Sequence, residues 1–244
     1  MNYVKENKDI SEKALISVII PAHNGEDYVA EAIDSVLAQE YKNTEIIAIN
    51  DGSTDATEDV VRSYAKVHYL YQPRQGASTA RNSGIKISSG EFIAFLDADD
   101  IWTKNKLKIQ MSQFLTNPEL DMIFGHVEQF YSPELAESLE GKIHLAESSM
   151  PGYVPGTMLI KKTSFLKVGF FDDGYRIGEF IDWYMRAIDY GLKSFLTQEV
   201  VLKRRIHNAN TGIRDRDFRK DYLRVLKASL DRRREREQKA GVPD

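Results

Sequence analysis

Residues 92–100 read Phe92-Ile93-Ala94-Phe95-Leu96-Asp97-Ala98-Asp99-Asp100. Five apolar residues without alternation predict a strand covered on both faces. A cluster of carboxylates then halts it. The same order recurs upstream. Leu15-Ile-Ser-Val-Ile-Ile20 runs into Pro21-Ala22-His23-Asn24-Gly25-Glu26, and Glu45-Ile-Ile-Ala-Ile49 runs into Asn50-Asp51-Gly52-Ser53-Thr54-Asp55. A further run covers Val67 to Tyr71. Helices are expected between these runs. Val29, Ile33, Val36 and Leu37 share one helical face, Asp55 and Glu58 resemble a capping box opening a helix over 56–66, and Gly76 opens a helix over 77–88. Strand and helix alternate, so the fold class is α/β with a mostly parallel central sheet and helices on both faces. Ligands of such sheets bind beyond the carboxyl ends of the strands. The polar clusters at 21–27, 50–55 and 97–100 are therefore expected on one edge.

The second half is less regular. The pattern predicts a helix over 104–116, a strand over 121–130, a loop over 131–153 and a strand over 154–160 broken by Pro155-Gly156. A helix over 179–190 is closed by Gly191 in a C′ position, and a strand follows over 195–202. A charged helix is expected over 215–237, with Tyr222, Val225, Leu226 and Leu230 on its buried stripe. Residues 1–13 read as a flexible lead.

Composition narrows the function. The 244 residues include no cysteine, which excludes a disulfide scaffold, a thiolate zinc site and thiol catalysis. There is no run of about 18 apolar residues, so no spanning helix is expected. The polar N-terminus is not a signal peptide, and the expected location is cytoplasmic. The net charge of −4 is uneven: residues 203–239 carry 14 Lys/Arg against 6 Asp/Glu. That basic C-terminal part is expected to face solvent, the inner face of an anionic membrane or a second subunit. No nucleic-acid partner is expected.

Two carboxylates two apart at a strand end, Asp97 and Asp99, can share a hard divalent cation, although a turn of capping aspartates looks the same. Asp51 at its own strand end can accept a hydrogen bond from an imide N–H, or serve only a turn. Glu179 and Asp182 are three apart and share a helical face, and the family resemblance given below implies that either could act as a base. Asp182 is the preferred one, because a short side chain one turn in is easily fixed. It also stands i,i+4 to Arg186 and could serve only as an ion pair. Trp183 and Tyr184 could stack on the apolar face of a ligand or pack in the core. The G-x-G-x-x-G of a dinucleotide-dependent dehydrogenase is absent after the first strand, as is the Gly-rich basic loop of a sugar-1-phosphate nucleotidyltransferase.

Four segments in order, Ser17–Asn24, Ile49–Asp55, Gly76–Gly84 and Gly90–Asp100, resemble the family 2 glycosyltransferases. The resemblance is tight over residues 15–105 and looser to about 212. It implies a GT-A fold and an inverting, metal-dependent transfer of a sugar from a nucleotide donor, most often UDP, to an acceptor hydroxyl. It implies that residues 14–105 bind the donor and 106–212 the acceptor, followed by a C-terminal helical extension over 213–244. Pro21, Ala22, His23 and Glu26 would line the nucleotide pocket, with Asp51 on the base. Gly76 and Arg81 would lie in the segment closing over the diphosphate. Asp97 and Ala98 would face the ribose or metal, and Asp99 would ligate Mn²⁺ or Mg²⁺. His207 would be a third ligand or a diphosphate contact, and Arg204 and Arg205 would meet the diphosphate. Where the family places a catalytic Asp after a Glu, this chain has Phe180. A catalytically silent nucleotide-sugar-binding protein is therefore the rival reading.

Overall fold

The computed structural model describes residues 14–138, 149–208, 210 and 220–240. The predicted lead over 1–13, the middle of the 131–153 loop, the start of the charged helix and the tail after 240 lie outside them. The first half is β1 (Ile16–Ala22), α1 (Val29–Leu37), β2 (Thr44–Asp51), α2 (Thr57–Arg62), β3 (Val67–Gln72), α3 (Ala77–Ile87) and β4 (Phe92–Phe95). The second is β5 (Ile101–Trp102), α4 (Lys106–Thr116), β6 (Met122–Tyr131), α5 (Pro133–Ser138), β7 (Met150–Gly152), β8 (Leu159–Lys161), α6 (Lys162–Val168), α7 (Glu179–Asp189), β9 (Ser194–Ile206) and α8 (Lys220–Ala240).

One sheet orders these strands β3-β2-β1-β4-β8-β6-β9-β5, with β7 on β6. The pairs β1–β2, β1–β4 and β2–β3 are parallel. The character changes at β4–β8, which is antiparallel, and β6–β8, β6–β7 and β5–β9 follow suit. Among the described residues of that half, only β6–β9 is parallel. Residues alternate between the two faces, as the pleat requires. Val18, Ile20, Ala94 and Leu96 join the core under α1 and α4. Ile19, Ile93, Phe95 and Phe124 join the other, under α6 and α7, with Phe165, Phe180 and Trp183. Gly84 lets α3 lie close to β1, since a Cβ there would come within 2.5 Å of Ile19 Cγ2.

Several expectations are corrected. Asp55 and Glu58 do not form a capping box. Asp55 Oδ1 accepts from Thr57 inside its own turn, Glu58 pairs with Arg62, and α2 ends at Arg62. The segment predicted as a strand over 154–160 is a 3₁₀ turn, Pro155–Thr157, followed by the short β8. The stripe expected to bury the last helix is also shifted: Val225 is buried, but Tyr222, Leu226 and Leu230 are exposed. Gly191 follows α7 with φ +76°, as its C′ position requires.

Lys106 joins α4 to the sheet from inside. Its fully buried Nζ donates to Gln110 Oε1 at 2.7 Å and lies 4.3 Å from the Trp102 ring centroid. Gln110 in turn donates to the carbonyls of Ile123 and Thr157. Burial holds the Lys106 amine well below the usual lysine range. The unfolded chain then binds the proton up to about pH 10.4 while the folded chain releases it earlier, so stability rises with pH across that window. Urea titrations from neutral to alkaline pH are expected to show this rise, and Lys106→Met to flatten it. An unchanged slope in the variant would place the proton elsewhere.

Candidate active site

The first two polar clusters interlock through hydrogen bonds. Asn24, in the left-handed region at φ 49°, donates its N–H to Ser53 Oγ and accepts at Oδ1 from Thr54 N–H. Gly25 N–H donates to Thr57 Oγ1, Glu26 N–H to Asp55, and Ala56 N–H to Glu26 Oε2. A Cβ on Gly25 would lie 3.6 Å from Ala98 Cβ, so the third cluster meets the first. Pro21 and Ala22 are the buried last residues of β1. His23 follows, with Nδ1 2.9 Å from the Asp51 carbonyl oxygen.

Asp51 ends β2 and is buried. Its Oδ1 accepts from Gln72 Nε2 at 2.7 Å and Gln75 N–H at 2.8 Å, and its Oδ2 accepts from Gly76 N–H at 2.8 Å. It therefore fastens the turn that enters α3. Gly76 takes φ +97° there, a conformation suited to glycine.

Arg81 projects from α3 beneath the carboxyl end of β4. Its Nη2 donates to Asp97 Oδ1 at 2.6 Å and its Nη1 to Glu179 Oε1 at 3.0 Å. The Arg81 side chain is 5% exposed, against 40% for Asp97 and 16% for Glu179. Burial works against the guanidinium's charge, but the two carboxylates outweigh it and raise its proton affinity. Arg81 thus bridges the end of β4 and the start of α7.

Asp99 stands two residues on. His207 Nε2 lies 2.9 Å from its Oδ2, and Asn210 Nδ2 donates to the same oxygen at 3.3 Å. Asp100 is buried and accepts from Arg205 N–H at 2.9 Å. Burial first, then Asp99 and Asp97, push its carboxyl well above the usual range.

Arg205 makes its contacts within the protein. It is buried, with its guanidinium 4.5 Å from the Tyr28 ring centroid and 4.6 Å from that of Phe130. Nε donates to the Asp99 carbonyl and Nη2 to Glu31. Its contacts make it a strut for the acidic turn. Arg204, its neighbour, is exposed. Tyr28 also packs on His207 at 5.2 Å and donates its hydroxyl to Glu134 at 2.6 Å. Burial, then Glu134, push that phenol up to about 12. Sequence reasoning missed Tyr28, Glu31, Phe130, Glu134 and Asn210. Asn210, three residues after His207, is the one that local spacing could have suggested.

Asp182 and Glu179 have different surroundings. Asp182 is 2% exposed. Its Oδ2 accepts from Arg186 Nε at 2.9 Å and its Oδ1 from Arg232 Nη1 at 3.1 Å. This is the helical ion pair that its spacing to Arg186 allowed, joined by a second arginine from α8. Glu179 opens α7 on the side of Arg81 and Asp97. Phe180 and Trp183 are core residues, with Trp183 Nε1 donating to the Gly169 carbonyl. Tyr184 packs between Phe180 and the exposed Tyr153.

Among the described residues, no group of three or more His, Asp or Glu is placed to hold a metal ion. Asp99 and His207 supply a carboxylate oxygen and an imidazole nitrogen at one point. That pair, one hard oxygen and one borderline nitrogen, could serve a divalent cation that takes mixed oxygen and nitrogen ligands.

The model of the family described as Glycosyl transferase family 2 matches residues 17–179. An uncharacterized glycosyltransferase of Rickettsia typhi is 35% identical over 212 residues, covering 81% of this chain. The chain spans 65% of that relative's length. The Escherichia coli UDP-Glc:alpha-D-GlcNAc-diphosphoundecaprenol beta-1,3-glucosyltransferase WfgD is 40% identical over 117 residues, 47% of this chain and 46% of its own. Among solved structures, Staphylococcus aureus TarS 1–349 in complex with UDP-GlcNAc superposes with a TM-score of 0.63 at 21% identity. That match covers 80% of this chain and 59% of the TarS chain. The shared fold is GT-A.

Proposed function

We propose a function from one premise: this chain belongs to glycosyl transferase family 2. The reaction is the transfer of a sugar from a nucleotide donor to an acceptor hydroxyl, by direct displacement with inversion. The observation that carries it is the single guanidinium of Arg81 holding Asp97 and Glu179 together. It sets a carboxylate at the end of a donor-side strand beside one at the start of an acceptor-side helix.

UDP is the proposed nucleotide. Its support is a relative that uses UDP-Glc and a GT-A structure that binds UDP-GlcNAc. The nucleotide would lie over Pro21, Ala22, His23 and Glu26. Asp51 Oδ2 makes one hydrogen bond in the structure, and a carboxylate oxygen offers two lone pairs. One position therefore suits the imide N–H of uracil. Residues 14–105 would form the donor part, 106–212 the acceptor part and 213–244 the extension.

Asp99 and His207 would hold Mn²⁺ or Mg²⁺, with Asp97 beside them. A cation so held would supply positive charge to the departing diphosphate. Glu179 replaces Asp182 as the proposed base, because both oxygens of Asp182 are held in ion pairs. Glu179 takes the proton of the acceptor hydroxyl, whose oxygen forms the new bond to the anomeric carbon. The carbon–oxygen bond to the phosphate breaks, and its electron pair leaves with UDP. The acceptor is a saccharide or another hydroxyl-bearing molecule.

Phe180, buried where the family has a catalytic Asp, supports the silent rival. Both readings bind a nucleotide, so binding alone does not separate them. With Mn²⁺ and UDP-sugar near a hundredfold over Kd, thermal unfolding is expected to show about 2.7 kcal/mol of added stability. Slow hydrolysis of the donor should accompany it. Stabilisation without hydrolysis or transfer across an acceptor panel would favour the silent reading. No stabilisation by any nucleotide sugar would end both.

A further inference from the structure

Helix α8 buries one side and presents an apolar stripe on another. Asp221, Val225 and Ser229, at i, i+4 and i+8, are buried against the body. The helix is pinned that way. Asp221 Oδ2 accepts from Arg176 N–H, Tyr222 packs on Gly178, and Arg232 reaches Asp182. The opposite side carries Leu223, Leu226 and Leu230, at i, i+3 and i+7, within an arc of about 60°. They are 69%, 48% and 53% exposed. Because the buried side is fixed, these leucines project outward together.

Their flanks are cationic. Lys227, Arg233 and Arg234 border the stripe on the helical wheel and are exposed. The contacts of Arg233 to Asp189 at 3.5 Å and of Arg234 to Asp231 at 3.9 Å leave both side chains more than half exposed. Residues 220–240 hold eight Lys/Arg against four Asp/Glu, in a chain of net charge −4. A second copy laid on this stripe would bring like charges together along both edges. An anionic bilayer surface is complementary to leucines flanked by cations. Among the described residues no helix is long and apolar enough to cross a membrane, so the contact is interfacial.

We propose that the outer face of α8 docks the protein on an anionic lipid surface, with Leu223, Leu226 and Leu230 inserted between headgroups and Lys227, Arg233 and Arg234 above them. The inference rests on the helix alone and stands apart from the transfer reaction. The test is flotation of the full chain with phosphatidylcholine vesicles, with and without phosphatidylglycerol. Binding is expected to the mixed vesicles only, and to weaken as salt is raised. The triple variant Leu223→Ser, Leu226→Ser, Leu230→Ser should keep its circular dichroism and lose about tenfold or more in partition. Replacing Lys227, Arg233 and Arg234 by Gln should also weaken binding. Equal binding to both vesicle types, or a triple variant that floats like the parent, would overturn the proposal. So would a dimer in sedimentation that the triple variant abolishes while no vesicle binds, because the occupant would then be a second copy.

Discussion

Glu179→Gln is expected to lower turnover by about 10²–10⁴-fold, the contribution of a positioned general base. Nucleotide affinity should stay within about twofold, because the change leaves Asp51, Asp99 and the loops between them intact. The isosteric amide still accepts from Arg81 at its Oε1, so the fold should survive with a loss of about 1 kcal/mol. Asp182→Asn is the informative companion. Asp182 is buried between Arg186 and Arg232, so its loss should appear mainly as stability, about 2–3 kcal/mol after allowance for the partly exposed arginines. Single-turnover rates and urea unfolding measured on both variants separate the two roles. If Asp182→Asn loses turnover at full stability while Glu179→Gln stays active, the assignment is reversed.

Asp99→Asn should cost at least about 100-fold in metal affinity, since even outer partners of a metal ligand are worth 10–100-fold. His207→Gln should cost less, because it leaves the carboxylate in place. Manganese titrations at fixed UDP-sugar, followed by donor hydrolysis, report both. The structure adds an internal control: Asp100 is held by Arg205 N–H and buried, so Asp100→Asn should leave the metal requirement unchanged. A metal requirement that survives Asp99→Asn would refute the proposed seat.

The first half of the fold, through β4, was legible because its information is local. Each of β1, β2 and β4 is a short apolar run whose end is marked by polar residues. The three clusters did converge, as the rule for strand ends in α/β sheets requires. The second half was not, because its strands are defined by partners far away. β5 is two residues long and exists only through β9, with Trp102 paired to Leu202. The turn at Pro155–Thr157 is held by Trp102 and Gln110 through hydrogen bonds that no local pattern announces.

The site divides in the same way. Asp97, Asp99 and His207 could be proposed from motif position. Arg205 reads as a phosphate ligand until Tyr28, Phe130 and Glu31 enclose it. Asp182 reads as a base until α8 supplies Arg232. In both cases the deciding residue is distant in the chain: Glu31 is 174 positions from Arg205, and Arg232 is 50 from Asp182.

The bridge through Arg81 ties the two halves of the chain at one point. The first half is a parallel sheet built from near neighbours, and it presents one guanidinium near the end of β4. The second half meets it with the first residue of α7. Two further ties stand beside it: β4 pairs with β8, and Arg205 reaches back to Asp99 and Glu31. Changes in the second half that keep these three contacts should leave the polar edge of the first half undisturbed.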